Sequence, residues 1–375
     1  MIRIANIVTD EKFIDSQIEY QDTTKDVCHH DYFYLKNKDF DGSFSYIKSK
    51  ERIQVVSWLE LLIKLKEKQY NAVFLHGLCS RFTKFVPFVY KGIKVFWFSW
   101  GYDFYSTDDS LICQMELYHE ETNKALLQLE NAEQKGIVLT VEKQIKKFLY
   151  RKSIKRVDYY SGVLPVEYDL IKNVAYFRAL PVRYSYVNLK ICDIKHEIKM
   201  GKGRNIIVGN SADPTNNHFD VIPYLNKLNL TDRKVYFPLN YAGEKKYISL
   251  LKNTINQSMS DNAVCLDTFM PFEQYKSLIE SCSVGVFFHE RQQALGNITM
   301  LIMNGCKIFL SETSVLYKYY KSIGVKVFSI QNELNQESLD VNLSFEEIHN
   351  NVKILGENRS KSNQISRLKK IYEII

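Results

Sequence analysis

Short apolar runs alternate with amphipathic stretches along this chain, and the alternation is most regular after residue 204. There the pattern predicts strands at 205–208, 234–238, 263–267, 284–288, 307–311 and 325–329. Between them it predicts helices at 216–228, 244–257, 272–281, 296–304 and 314–322. A fully buried parallel strand reads as a continuous apolar run, whereas a helix carries one apolar face. Strands separated by helices imply a parallel sheet. The first half gives strands at 2–9, 32–36, 53–56, 72–75, 93–99 and 158–162, with helices at 57–68, 111–133 and 139–151. Residues 178–203 lack clear periodicity, carry Pro181 and end in Gly201-Lys202-Gly203, which reads as a connection. The tail, 344–375, reads as polar helix.

This pattern predicts an α/β chain with one Rossmann-like domain over 1–180, a linker over 181–203, a second Rossmann-like domain over 204–343, and a helical tail. Two such domains with parallel sheets facing across a cleft make the GT-B-like architecture. At 375 residues the chain is long enough for both, and its 45% hydrophobic content supplies their cores. No apolar run is long enough to span a bilayer, and the N-terminus enters a strand directly with no signal-peptide pattern. Seven scattered cysteines without metal-ligand spacing predict reduced thiols in a cytoplasmic protein.

The net charge of +7 changes the picture only where it is concentrated. Lys143, Lys146, Lys147, Arg151, Lys152, Lys155 and Arg156 crowd one segment with Ile145, Phe148, Leu149 and Ile154. A basic amphipathic helix of this kind suits an anionic membrane surface, and it also suits a plain solvated face. No nucleic-acid motif accompanies it.

Candidate chemistry lies in loops that follow strands, where ligands of open α/β sheets bind. After strand 205–208 come Gly209, Asn210, Ser211, Asp213, Asn216 and His218. Gly209 allows close backbone approach, and the short polar side chains suit ribose, phosphate or sugar hydroxyls. Thr215, Asn216 and Asn217 are candidate helix caps. After strand 284–288 come Arg291, Gln292, Gln293, Gly296 and Asn297. A helix N-terminus, a guanidinium and two amides together suit a diphosphate. In the first half, His76 and Gly77 end one strand, and Trp100, Gly101, Asp103 and Tyr105 follow another. His76 and Asp103 are the candidate general bases. Asp39-Phe40-Asp41 has the spelling of a metal motif but sits in a polar turn, so no metal or other cofactor is expected.

Several of these patches, taken in order, resemble one family. They are Phe74-Leu75-His76-Gly77, Trp100-Gly101-x-Asp103-x-Tyr105, Val208-Gly209-Asn210-Ser211-x-Asp213-x-x-Asn216, Pro238-x-x-Tyr241, Tyr275, and Arg291-Gln292-Gln293-x-x-Gly296. The chain resembles the bacterial 4-acetamido-4,6-dideoxygalactose (Fuc4NAc) transferases of enterobacterial common antigen type, glycosyltransferase family 56. The resemblance spans about residues 70–310, with departures at Ala212, Pro214 and Thr215. It implies a dTDP-sugar donor, a lipid-linked glycan acceptor, a role in O-antigen, capsule or other surface polysaccharide synthesis, and a place at the inner face of the cell membrane. It also adds Pro238 and Tyr241 to the donor loops. Three alternatives stay open: a UDP- or GDP-sugar donor, a nucleotide-sugar epimerase using His218 and Glu290, and a non-catalytic glycan- or nucleotide-binding protein.

Overall fold

The structure, a computed structural model, describes residues 1–37, 40–130, 138–186, 203–259 and 261–375. Lys38 and Asp39, and most of the expected linker 181–203, lie outside the described residues.

The chain divides into two units. The first comprises Met1–Met115, Gly136–Ile194 and Asn358–Ile375; the second comprises Glu116–Lys135 and Lys195–Glu357. In the first unit, β1 (Ile2–Val8), β2 (Cys28–Leu35), β3 (Ile53–Val56), β4 (Ala72–His76) and β5 (Lys94–Phe98) belong to one sheet. A small separate pair, β6 (Tyr105–Ser106) and β7 (Cys113–Gln114), follows; β8 (Tyr159–Ser161) and β9 (Leu180–Pro181) complete the main sheet. Its order is β3-β2-β1-β4-β5-β8-β9, and every pair is parallel.

The second unit has β10 (Asn205–Val208), β11 (Val235–Pro238), β12 (Ala263–Leu266), β13 (Cys282–Phe287), β14 (Lys307–Leu310) and β15 (Phe328–Ser329). The order is β12-β11-β10-β13-β14-β15, again all parallel. Both sheets therefore wind outward from a central pair and reverse direction there. In a doubly wound sheet this reversal opens a crevice at the carboxyl ends of the two central strands. In the second unit those strands are β10 and β13, whose loops carry the candidate donor residues.

The strands form where the apolar runs demanded. All six residues of β13 are buried, as a strand covered on both faces requires. The helices differ more. Helix Ile14–Asp22 carried no apolar signal, because its buried face includes Gln17 and Gln21 as well as Ile14, Ile18 and Tyr20. Of the helix expected over 111–133, Glu120–Glu130 is helical and 111–119 are not, while 131–133 lie outside the described residues. Ile112, Cys113 and Leu117 are buried from irregular chain and from β7 instead.

Two expected domain boundaries are corrected by packing. Helix Glu120–Glu130 belongs to the second unit: Ala125 is part of its core, with Leu126 and Leu129 packed against it. The backbone N–H groups of Glu121 and Thr122, at the start of this helix, donate to Asp220 at 2.8 and 3.0 Å. The tail does not stand apart. Residues Asn358–Ile375 join the first unit, where Leu368, Ile371 and Tyr372 complete a core with Ile4, Phe74 and Phe96.

Candidate functional site

The two loops at the switch point of the second sheet meet each other. Gln293 donates from Nε2 to Asn210 Oδ1 at 3.0 Å and accepts at Oε1 from Thr215 Oγ1 at 2.8 Å. Arg291 Nε donates to the same Thr215 Oγ1 at 3.3 Å, and its guanidinium lies 3.7 Å from the Asp213 carboxylate. Gln292 and Gln293 are both buried. Gly209, Asn210, Ser211, Asp213, Asn216, Arg291, Gln292 and Gln293 thus form one cluster, built on β10 and β13.

Within it some residues brace the loop. Asp213 caps the short 3₁₀ turn Pro214–Asn216 by accepting from Thr215 N at 2.9 Å, and of the three expected caps Asn217 takes the N-cap position of helix His218–Leu225, without a side-chain cap hydrogen bond. Asn216 ties the loop to itself, donating to Ser211 O and Asp213 O and accepting from Asn210 N. Gly209 is required here. Its φ is +66°, and a Cβ would lie 2.8 Å from Asn216 Oδ1 and 3.0 Å from His218 Nε2. Helix Leu295–Met303 begins beside Gln293, with Ala294 at φ +59° immediately before it. An alanine in the left-handed region stores about 1–2 kcal/mol of strain, and such strain gathers where a loop is held in one working shape. Pro238 ends β11, and the backbone of Tyr241 accepts from Ala212 N at 2.8 Å, with most of the tyrosine ring exposed. Gly296 and Asn297 lie in the first turn of helix Leu295–Met303.

His218 and His289 are completely buried, and neither ring has a hydrogen-bond partner among the described residues. Burial drives His218 down to about 4 against the pull of Asp213. Burial and then Arg291 drive His289 to about 4. Both rings are therefore neutral at neutral pH.

Local reading missed His119, and it took Asn217 only as a candidate helix cap. Asn217 adopts φ +53° and ties three segments together. It donates to Leu117 O at 3.1 Å and Phe288 O at 2.9 Å and accepts from His119 N at 3.0 Å. His119 in turn reaches Glu290 Oε1 from Nε2 at 2.8 Å and stacks on Phe288 with ring centroids 4.2 Å apart. No spacing in the chain announces these contacts.

In the first unit, His76 and Asp103 hold structure, which departs from the base role expected of each. His76 is completely buried at the end of β4, and both ring nitrogens are occupied, by Tyr186 Oη at 2.8 Å and by Asn6 Oδ1 at 3.1 Å. Burial, then His30, lower it to about 3. Asp103 is buried too, and accepts from Leu78 N, Trp97 Nε1 and Trp100 N at 2.7–2.8 Å. Burial raises its pKa against those three hydrogen bonds. It clamps the loop after β5 to the loop after β4. Gly77 turns with φ +79° beneath Tyr102, and Gly101 with φ +99°. Tyr105 is committed to Glu167 by a 2.6 Å hydrogen bond, while Trp100 packs edge-on against Tyr186. Asp41, of the Asp-x-Asp spelling, accepts from Ser43 N and Oγ as a turn residue does.

The basic segment forms helix Val138–Arg156. Lys143 and Lys147 pair with Asp108 and Asp109, Arg151 with Asp109, Lys146 with Glu142, and Arg156 with Asp158. Lys152 lies over the Phe148 ring, and Val141, Ile145 and Phe148 are exposed. Among the described residues no helix is long and apolar enough to cross a membrane, and no group of three or more His, Cys, Asp or Glu side chains is placed to hold a metal.

Known structures share this fold over its full length. HepE of Anabaena, solved in complex with UDP, superposes with a TM-score of 0.64 at 9% identity, covering 100% of both chains. The lipopolysaccharide outer core galactosyltransferase WaaB gives 0.61 at 8%, again covering 100% of both. The sucrose-phosphate synthase of Thermosynechococcus elongatus gives 0.62 at 9%, covering 100% of this chain and 98% of its own. At these identities the likeness shows the fold alone, and that fold is GT-B. More particularly, residues 173–347 match the family described as "4-alpha-L-fucosyltransferase glycosyl transferase group 56". The chain resembles that family over a segment that takes in the candidate donor cluster; the patches around His76 and Asp103 lie outside the match.

Proposed function

We propose that this chain transfers a deoxy-amino sugar of the Fuc4NAc type from a dTDP-sugar to a lipid-linked glycan during surface polysaccharide synthesis. The observation that carries the reading is the joined pair of loops at the switch point of the second sheet. Arg291 and the start of helix Leu295–Met303 supply positive charge for a diphosphate, and the buried amides and Gly209 supply close, uncharged contacts. The family match covers this cluster, and HepE is described with UDP and with UDP-glucose, which supports a nucleotide-sugar donor for the same fold. Leaving-group charge is met by Arg291 and backbone N–H groups, so transfer is metal-independent in this reading. The protein works on the cytoplasmic side, held at the inner membrane face by helix Val138–Arg156.

The test is calorimetry of dTDP, UDP, GDP and CDP in the presence of EDTA, with Arg291→Ala as the variant. dTDP should bind most tightly, and Arg291→Ala should weaken it by about 1.5–3 kcal/mol, the scale of a hydrogen bond to a charged group. Equal affinity for all four nucleotides, or no loss in Arg291→Ala, would remove the cluster from the donor site.

A further inference from the structure

We propose that His119, held by Glu290, is the general base that deprotonates the acceptor hydroxyl; the proposal rests on the glycosyl-transfer reading above. Four observations converge on it. Glu290 lies three residues beyond the end of β13 and one before Arg291, and so stands at the carboxyl edge of the sheet beside the candidate donor cluster. Its carboxylate is buried and accepts from His119 Nε2 at 2.8 Å and from Ser311 Oγ. An ionised carboxylate only accepts, so Nε2 carries the proton of this bond, and in the neutral ring the lone pair is on Nδ1. Nδ1 has no hydrogen-bond partner among the described residues, and 27% of the side chain is exposed.

The ring is also fixed in place. It stacks on Phe288, and the His119 backbone N–H is tied to Asn217 at 3.0 Å. Asn217 in turn donates to Phe288 O at 2.9 Å. A carboxylate that fixes the tautomer and orientation of an imidazole whose other nitrogen is open is the arrangement that base catalysis needs. His76 lacks it, because both of its nitrogens are already bonded.

The step balances as follows. Nδ1 takes the proton of the acceptor hydroxyl while an oxygen electron pair forms the bond to the anomeric carbon. The bond from that carbon to the donor diphosphate breaks, and its electron pair leaves with the nucleoside diphosphate. The imidazolium formed is stabilised by the Glu290 carboxylate and later returns its proton to solvent.

His119→Ala and His119→Gln should bind nucleoside diphosphate within about threefold of the parent while transfer falls by about 10²–10⁴-fold, the usual share of a general base. Added imidazole should restore part of the activity of His119→Ala, an effect that a purely structural histidine does not show. Glu290→Gln should also lose transfer with nucleotide affinity kept. Transfer near the parent rate in both His119 variants overturns the proposal. So does a loss matched by equal loss of nucleotide affinity, or one that imidazole leaves unrelieved; either assigns His119 a structural role. These outcomes are read in a parent that transfers sugar. A parent that transfers from no nucleotide sugar overturns the glycosyl-transfer reading itself, and this proposal with it.

Discussion

Glu167 is completely buried, and its carboxyl is pushed up to about 7 from an ordinary 4.5. Burial is the main cause, outweighing the hydrogen bonds from Leu164 N and Tyr105 Oη at 2.6 Å each. The folded state therefore holds this proton more tightly than the unfolded chain. Its contribution to stability is complete below pH 4.5 and is lost as pH rises through 7, by on the order of 3 kcal/mol in all. Glu167→Gln keeps the shape, with its carbonyl facing Leu164 N and its amide donating to the Tyr105 hydroxyl. Urea unfolding at pH 5 and pH 8 should show a smaller loss across that interval in the variant than in the parent. An unchanged difference would mean that Glu167 titrates normally. Glu290 runs the other way. Burial pushes it up, yet hydrogen bonds from His119, Ser311 and Thr313 prevail and lower it, so it stays ionised beside an open imidazole. The same side-chain type serves as a near-neutral clamp in one place and as a fixed charge in the other.

At the scale of elements, helix Val138–Arg156 shows how pairing redistributes a charge patch. Of its seven basic residues, five have a carboxylate partner, which leaves Lys152 and Lys155 as the cations without one among the described residues. Exposed ion pairs contribute little to stability, but they cancel the far field that would draw an anionic bilayer. The feature left for a membrane is apolar: Val141, Ile145 and Phe148 recur at helical spacing and are 64%, 55% and 59% exposed. Ile145→Asp with Phe148→Asp is therefore expected to release the protein from anionic liposomes more fully than Lys143→Ala with Lys147→Ala. Co-sedimentation measures both, and equal release, or none, would leave the helix a solvated face.

For the whole molecule, the striking-distance contacts of the tail matter most to the first unit. Tyr20 Oη donates to Gln364 O at 2.5 Å, and Tyr372 Oη lies 2.8 Å from His30 Nε2 and 2.9 Å from Thr24 Oγ1. Leu368 and Ile371 are buried in the same core. Removing residues 358–375 would expose that core and leave buried polar groups without partners, each costing about 1–3 kcal/mol. Burial of the apolar side chains adds about 1.5–3 kcal/mol for each large one lost. The truncated chain should therefore lose the first unit's thermal transition, while the second unit keeps its own and still binds nucleotide. Calorimetric scans with and without dTDP measure this. Retention of both transitions would show that the tail only decorates the first unit.

What the sequence determined by itself was local. Continuous apolar runs specified β10 and β13, and the polar residues after them marked the candidate donor loops, because a buried strand and its solvated turn are written within a dozen neighbouring residues. The parallel sheets followed from the same alternation. Tertiary structure alone decided which ionisable groups are usable. His76 looked like a base from its place at a strand end, and lost that role when Asn6 and Tyr186 took both nitrogens. His119 carried no local signal, and gained its role from a carboxylate 171 residues away. Helix Glu120–Glu130 and the tail likewise joined units that their positions in the chain did not indicate. The reason is physical: secondary structure answers to periodicity over neighbouring residues, whereas burial, tautomer and charge answer to whatever the fold packs against each side chain.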